Sequence, residues 1–103
     1  MGSGIRGNEM IFYHGTSEEN WEDIQAEGVL WGKREVSGFY PSRCTYLAVD
    51  ETEAWEYGSV VLRVEYDPAT GVNNYCEGCW QLRVYDPISV KNVTRILSKT
   101  RVD

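Results

Sequence analysis

One histidine and three cysteines stand among the 103 residues of this chain. These are the side chains best suited to proton transfer, metal ligation and thiol chemistry near neutral pH. His14 lies in the run Tyr13-His14-Gly15-Thr16, at the end of an apolar segment. A lone histidine is most often structural, but the neighbours of this one favour a functional reading. Gly15 brings no Cβ, so a ligand can approach the backbone N–H and C=O there, and strand-to-helix turns are frequent ligand sites. The second candidate is Cys76-Glu77-Gly78-Cys79. Together with Cys44 and His14 this pair could complete a tetrahedral zinc site, or by itself act as a redox dithiol. There is no second Cys-x-x-Cys and no histidine pair to strengthen the zinc reading. The pair also precedes an expected strand instead of lying between strand and helix, which is the thioredoxin-like placement. Ordinary reduced thiols and no metal site are therefore expected, which suits a cytoplasmic protein.

The elements that must position these groups follow from periodicity. The apolar run over 10–13 reads as a strand buried on both faces. Thr16 and Glu19 have capping-box spacing, Trp21, Ile24 and Gln25 share a helical face, and Gly28 sits where a helix would stop, so a helix is expected over 18–27. Residues 29–43 read as a long, irregular connection punctuated by Gly32, Gly38 and Pro41 between Trp31, Phe39 and Tyr40. A second strand is expected over 44–49. Asp50 and Glu53 then cap a short helix carrying Ala54, Trp55 and Tyr57, which Gly58 ends. Val60, Leu62, Val64 and Tyr66 alternate with Val61, Arg63 and Glu65 in the clearest strand, closed by Asp67-Pro68. A turn-rich stretch over 69–78 leads to a strand over 80–86, and the β-branched run over 90–97 supplies the last. The result is an α+β domain, a mostly β core with two short helices.

Composition narrows the possible functions. With 42% hydrophobic, 13% aromatic and 25% charged residues, disorder, collagen-like repeats and coiled coil are excluded as whole-chain readings. A net charge of -6, from ten basic and sixteen acidic residues, has the wrong sign for holding nucleic acid through its phosphates. No apolar run approaches the roughly 20 residues that span a bilayer, and the first ten residues lack a secretion signal. A soluble, cytoplasmic protein without a membrane partner is expected. Met1-Gly2-Ser3-Gly4 reads as an expression scar, so residues 1–9 are expected to be a disordered leader and 10–103 the domain. The acidic stretches over 18–27 and 50–56 read as solvated helix faces, and Lys91, Arg95, Lys99 and Arg101 as an exposed basic tail.

Tyr13-His14-Gly15-Thr16, the helix ending at Gly28, Thr45-Tyr46-Leu47-Ala48, Ala54-Trp55-Glu56-Tyr57-Gly58 and Gln81-Leu82-Arg83-Val84-Tyr85-Asp86-Pro87 follow one another in an order that resembles the ADP-ribosyltransferase superfamily, in its poly(ADP-ribose) polymerase and diphtheria-toxin-like branch. The resemblance covers about residues 11 to 97. It implies a split β-sandwich of two small sheets around a cleft, with NAD+ as the bound substrate. It further implies that Gly15 holds the nicotinamide carboxamide through its backbone and that His14 contacts the adenosine ribose, with Thr16 as an ancillary contact. Tyr46 and Tyr57, eleven residues apart, would sandwich the nicotinamide ring; core packing is the alternative for each. Two positions depart from the family pattern. Ala54 stands where a carboxamide-binding hydroxyl is common, and Gln81 falls on the position of the catalytic glutamate. Glutamine can bond a ribose hydroxyl but carries no negative charge, unless Glu77 supplies a carboxylate from the preceding loop. The resemblance thus implies a mono-ADP-ribosyltransferase acting on a macromolecule, expected to be a protein, with Gln81 and Tyr46 at the reacting end. A catalytically inactive NAD+, ADP-ribose or protein-binding module on the same fold is the alternative. An RNA 2′-phosphotransferase is a lesser one, since no arginine accompanies the His14 segment.

Overall fold

A computed structural model of the protein describes residues 9–32, 34–37 and 40–97. Its centre is a five-stranded antiparallel sheet, in the order β7 (Gln81–Val84), β5 (Thr45–Ala48), β1 (Met10–Thr16), β6 (Val60–Tyr66) and β9 (Val93–Ile96). β1 and β6 pair along their whole length, from Met10↔Tyr66 to Thr16↔Val60. Side chains alternate between the two faces of a sheet, and here the two faces meet different partners. Phe12, Leu47, Leu62, Val64, Leu82 and Val84 point to one side, into the main core with Ile24, Leu30 and Ile88. Ala48 and Val61 point to the other, against Ala54 and the flanking Tyr13, Trp55 and Ile96.

The main core is closed by α1 (Glu18–Glu27), through Ile24 and Trp21, and by a second sheet of β2 (Val29–Leu30) and β8 (Ile88–Ser89). α2 (Glu51–Trp55) lies on the opposite face. A third small sheet pairs β3 (Arg34–Ser37) with β4 (Tyr40–Arg43). The α+β class, the two helices and the bounds of α1 agree with the sequence reading.

Several local expectations are corrected. Ser17, not Thr16, caps α1, its hydroxyl accepting from the Asn20 N–H at 3.1 Å; Thr16 belongs to β1 and is buried. Asp50 does cap α2, accepting from the Thr52 N–H at 3.0 Å, but that helix ends at Trp55 before reaching Gly58. The expected connection over 29–43 contains β2, β3 and β4. Two short runs separated by Gly38-Phe39, a glycine-first two-residue spacer, were the available hairpin signal. The last run is divided, a 3-10 turn over Val90–Asn92 preceding β9. The five expected strands also join one sheet; they are not shared between two. Arg95 is no tail residue: it bonds Glu18 of α1 at 2.7 Å, tying the helix to the sheet edge. Residues 1–8, Phe39, Lys99 and Arg101 lie outside the described residues. Among the described residues no helix is long and apolar enough to cross a membrane.

Between β6 and β7 the chain is organised by one side chain. The Asn73 amide N–H2 donates to the carbonyls of Pro68 at 2.8 Å and Gly71 at 3.0 Å and to the Tyr66 hydroxyl at 3.1 Å, while its oxygen accepts from the Tyr75 N–H at 2.9 Å. Tyr66 donates in turn to Asp86 at 3.4 Å, and burial raises its phenol above the ordinary range. Asn73→Ala leaves these partners without Asn73 and is expected to lower stability by about 1–3 kcal/mol. Urea unfolding at constant slope checks this; an unchanged midpoint would show that the loop holds without Asn73.

Candidate functional site

The site begins where the sheet forks. β1 pairs with β6 through Thr16, yet with β5 only at Tyr13↔Ala48. Past Tyr13, among the described residues, no strand pairs with the β5 side of β1, and consecutive strand residues direct their N–H and C=O to opposite sides. One of His14 and Gly15 therefore presents its peptide groups to the gap. The His14 ring bridges that gap, its Nδ1 lying 2.8 Å from the Tyr46 carbonyl oxygen. A carbonyl only accepts, so Nδ1 carries the proton. Burial lowers the His14 pKa, more than the bond to Tyr46 raises it. The ring is thus neutral at pH 7, and its Nε2 lone pair is an acceptor for a ligand hydroxyl.

Glycines make the fork possible. A Cβ on Gly15 would sit 2.0 Å from the Ala54 carbonyl oxygen and 3.1 Å from the Tyr57 Cβ, and one on Gly58 would sit 2.1 Å from the Thr16 carbonyl oxygen. The exit of α2 therefore lies directly on the end of β1. The sequence argument for Gly15, open backbone for a ligand, is joined by a packing reason that it did not contain. This contact carries Tyr57 to a position facing the fork.

Two cavities meet there. The first, about 400 Å3, is walled by Tyr13, His14, Gly15, Tyr46, Ala48, Ala54, Tyr57 and Gln81. Tyr13, Gly15, Tyr46, Ala48 and Gln81 all fall on the α2 face of the sheet, as the pairing Ala48↔Gln81 requires. The second, about 650 Å3, lies toward α1 and is walled by Thr16, Ser17, Asn20, Asp23, Trp31, Arg43 and Thr45 among others. His14, Gly15, Tyr46 and Tyr57 line both. Both volumes are in the range of small-molecule and cofactor sites.

Every site residue read from the sequence is found on these walls. Tyr46 and Tyr57 are 43% and 58% exposed, so neither is a core residue. Gln81 is half-buried at the start of β7. Glu77 is exposed and lines neither cavity, and among the described residues no carboxylate lines the smaller one. Cys76 and Cys79 do not join Cys44 and His14: all three thiols are free, and no group of three or more potential metal ligands occurs among the described residues.

Arg43 was missed. It stands at the end of β4, inside the stretch read as irregular, and lines the same cavity as His14. Its guanidinium carbon lies 4.4 Å from the centre of the Trp31 ring, Nε donates to the Gly32 carbonyl at 2.7 Å, and Glu27 is 3.6 Å away. The indole and the carbonyl orient the cation, while the distant, half-exposed Glu27 neutralises it only weakly.

Comparison of the chain with protein-family models, curated proteins and solved structures finds no match.

Two outcomes test this geometry. Gly15→Ala forces a Cβ against a backbone carbonyl, which no rotamer relieves, and should cost about 1–3 kcal/mol in chemical denaturation; an unperturbed variant would mean that α2 can move off β1. His14 has a pKa lowered from 6.5 in the folded chain, so the unfolded chain binds more protons between the two values. Its neutral form supports the fold fully above about pH 6.5, and that support is lost as pH falls toward the lowered value. The stability difference between wild type and His14→Gln should be constant above neutrality and turn against the wild type below it. A flat difference down to pH 5 would contradict the burial argument.

Proposed function

We propose that this protein is an ADP-ribosyltransferase-like domain that binds NAD+ in the fork and transfers ADP-ribose to a macromolecular acceptor, a protein. The observation that carries the reading is the pair of adjoining cavities: an aromatic one without a carboxylate among its described residues, and a larger one whose walls carry Arg43 together with Asp23 and Glu27, sharing His14, Gly15, Tyr46 and Tyr57. A ligand that fits both has a flat ring at one end and, at the other, a longer portion with an anionic group for Arg43 and hydroxyls for the two carboxylates. NAD+ has that form.

On this reading the rings of Tyr46 and Tyr57 flank the nicotinamide, and their electron-rich faces favour its positive charge. The peptide groups at the fork take the carboxamide, a task in which Ala54 cannot assist because it has no hydroxyl. The His14 Nε2 accepts a ribose hydroxyl, and Arg43 faces the anionic portion. Gln81 bonds a hydroxyl on the reacting ribose. The glycosidic C–N bond then breaks, its electron pair leaving with nicotinamide, and an acceptor nucleophile attacks the anomeric carbon and loses its proton. Gln81 supplies orientation but no charge for the oxocarbenium-like ribose, so turnover is slow.

A second reading is favoured by the same two residues. With Gln81 and Ala54 in the aromatic cavity the domain can bind NAD+ or ADP-ribose without turnover and serve as a recognition module. The RNA 2′-phosphotransferase reading gains Arg43 as a cation beside His14, but a single guanidinium shared with Glu27, on a chain of net charge -6, is a poor RNA site.

Calorimetric titration with NAD+ and an assay for released nicotinamide test these readings together. Gln81→Glu is nearly isosteric and introduces a negative charge beside the ribose; nicotinamide release is expected to rise by about 10²-fold, the size of a single electrostatic contribution in an active site. Tyr46→Ala should abolish binding while changing stability little, because the residue is 43% exposed and outside the core. Heat of binding without release from either the parent or Gln81→Glu supports the recognition module. No binding by any form removes the NAD+ reading.

A further inference from the structure

Cys76 and Cys79 play no part in the cleft, yet they are arranged for a reaction of their own. The Cys79 N–H donates to the Cys76 carbonyl at 3.1 Å, and Gly78 between them has φ of +85°. Positive φ at the third residue is the mark of a type II turn, and turn closure holds the first and fourth Cα atoms within about 7 Å. Disulfides span roughly 4.4–6.8 Å between Cα atoms. Both thiols are free, Cys76 exposed and Cys79 half-buried. The turn is also the direct approach to the fork. It is followed at once by Trp80, whose carbonyl accepts from the Val49 N–H at 3.0 Å, and by Gln81, paired with Ala48 on the wall of the aromatic cavity.

We propose that Cys76 and Cys79 form a reversible oxidation site, closing a disulfide across the turn that leads into β7 and so restraining Trp80 and Gln81. With a small-molecule disulfide as oxidant, the Cys76 thiolate attacks one of its sulfurs, forming a mixed disulfide and releasing one thiolate. Cys79 then loses its proton and displaces the second. Two protein thiols and one disulfide become one protein disulfide and two small thiols; the cysteines lose two electrons and two protons, and the oxidant gains them. The cross-link removes the open conformations of the turn, so local unfolding at the start of β7 becomes rarer. None of this depends on what occupies the cavities.

The test is incubation of the full chain with excess glutathione disulfide at mildly alkaline pH, where more thiolate is present, followed by alkylation and mass analysis of intact protein and peptides. The expected product is monomeric, lacks two hydrogen atoms on the peptide spanning 76–79, is alkylated at Cys44, and returns to the starting mass with a dithiol reductant. Cys76→Ser and Cys79→Ser should each stop at the mixed disulfide on the remaining cysteine of the turn. Amide exchange measured by mass spectrometry should slow across Trp80 and Gln81 in the oxidised protein. Stable mixed disulfides in the wild type, or disulfide-linked dimers, would overturn the pairing whether or not the serine variants fold. Unaltered exchange at Trp80 and Gln81 would overturn the coupling to β7.

Discussion

The architecture of the cleft depends on one reciprocal backbone contact. The exit of α2 lies against the end of β1 so closely that neither Gly15 nor Gly58 has space for a Cβ: the first meets the Ala54 carbonyl, the second the backbone of Thr16. Two pieces of main chain can approach this closely only where side chains are absent. The contact fixes where the chain emerges from the helix, and with it the position of Tyr57. The same residue, Gly15, lies on the strand whose other edge is left open, so the constraint that packs the helix also borders the cavity.

The second determinant is the divergence of β1 from β5. A single paired position, Tyr13↔Ala48, holds the two strands, and beyond it a histidine side chain takes over from the ladder by bonding the Tyr46 carbonyl. An opening inside a sheet leaves backbone polar groups in need of partners; the His14 imidazole satisfies one of them through Nδ1. The cavity under α2 and the cavity beside α1 share His14, Gly15, Tyr46 and Tyr57 in their walls. A cleft had been expected between separate sheets. The larger cavity lies against both, walled by Thr16 and Thr45 of the five-stranded sheet and by Ile24 of α1 and Leu30 of β2, while the smaller lies on the α2 face.

Charge is distributed unevenly along that cleft. The aromatic cavity has tyrosine rings and an amide but, among its described residues, no carboxylate, whereas the larger one holds Arg43 against Trp31 with Glu27 and Asp23 nearby. An orienting site and a charge-stabilising site differ in this respect. Hydrogen bonds from Gln81 can align a bound group, but only a fixed negative charge gains strength as positive charge develops. On the proposed reading, binding geometry and catalytic power are separable, and the single side chain at position 81 separates them.

The signals legible in the chain were local ones. Alternation over Val60–Tyr66 specified a strand with two different faces, helical spacing of Trp21 and Ile24 with Gly28 beyond them specified α1, and Asp50 marked the start of α2, because these signals depend on neighbours within a few residues. The order of Tyr13-His14-Gly15-Thr16, Tyr46, Tyr57 and Gln81 was also legible, and these are the residues that line the cavities. Tertiary structure alone decided the rest. Whether Tyr46 and Tyr57 were core or surface could not be read from their own segments, since exposure depends on which strand stops pairing with which. Arg43 entered the site from a hairpin whose two short strands carry little pattern of their own and are defined by pairing with each other. The reason for Gly15 likewise lies thirty-nine residues away in sequence, in a carbonyl that reaches it only after the sheet and α2 have packed.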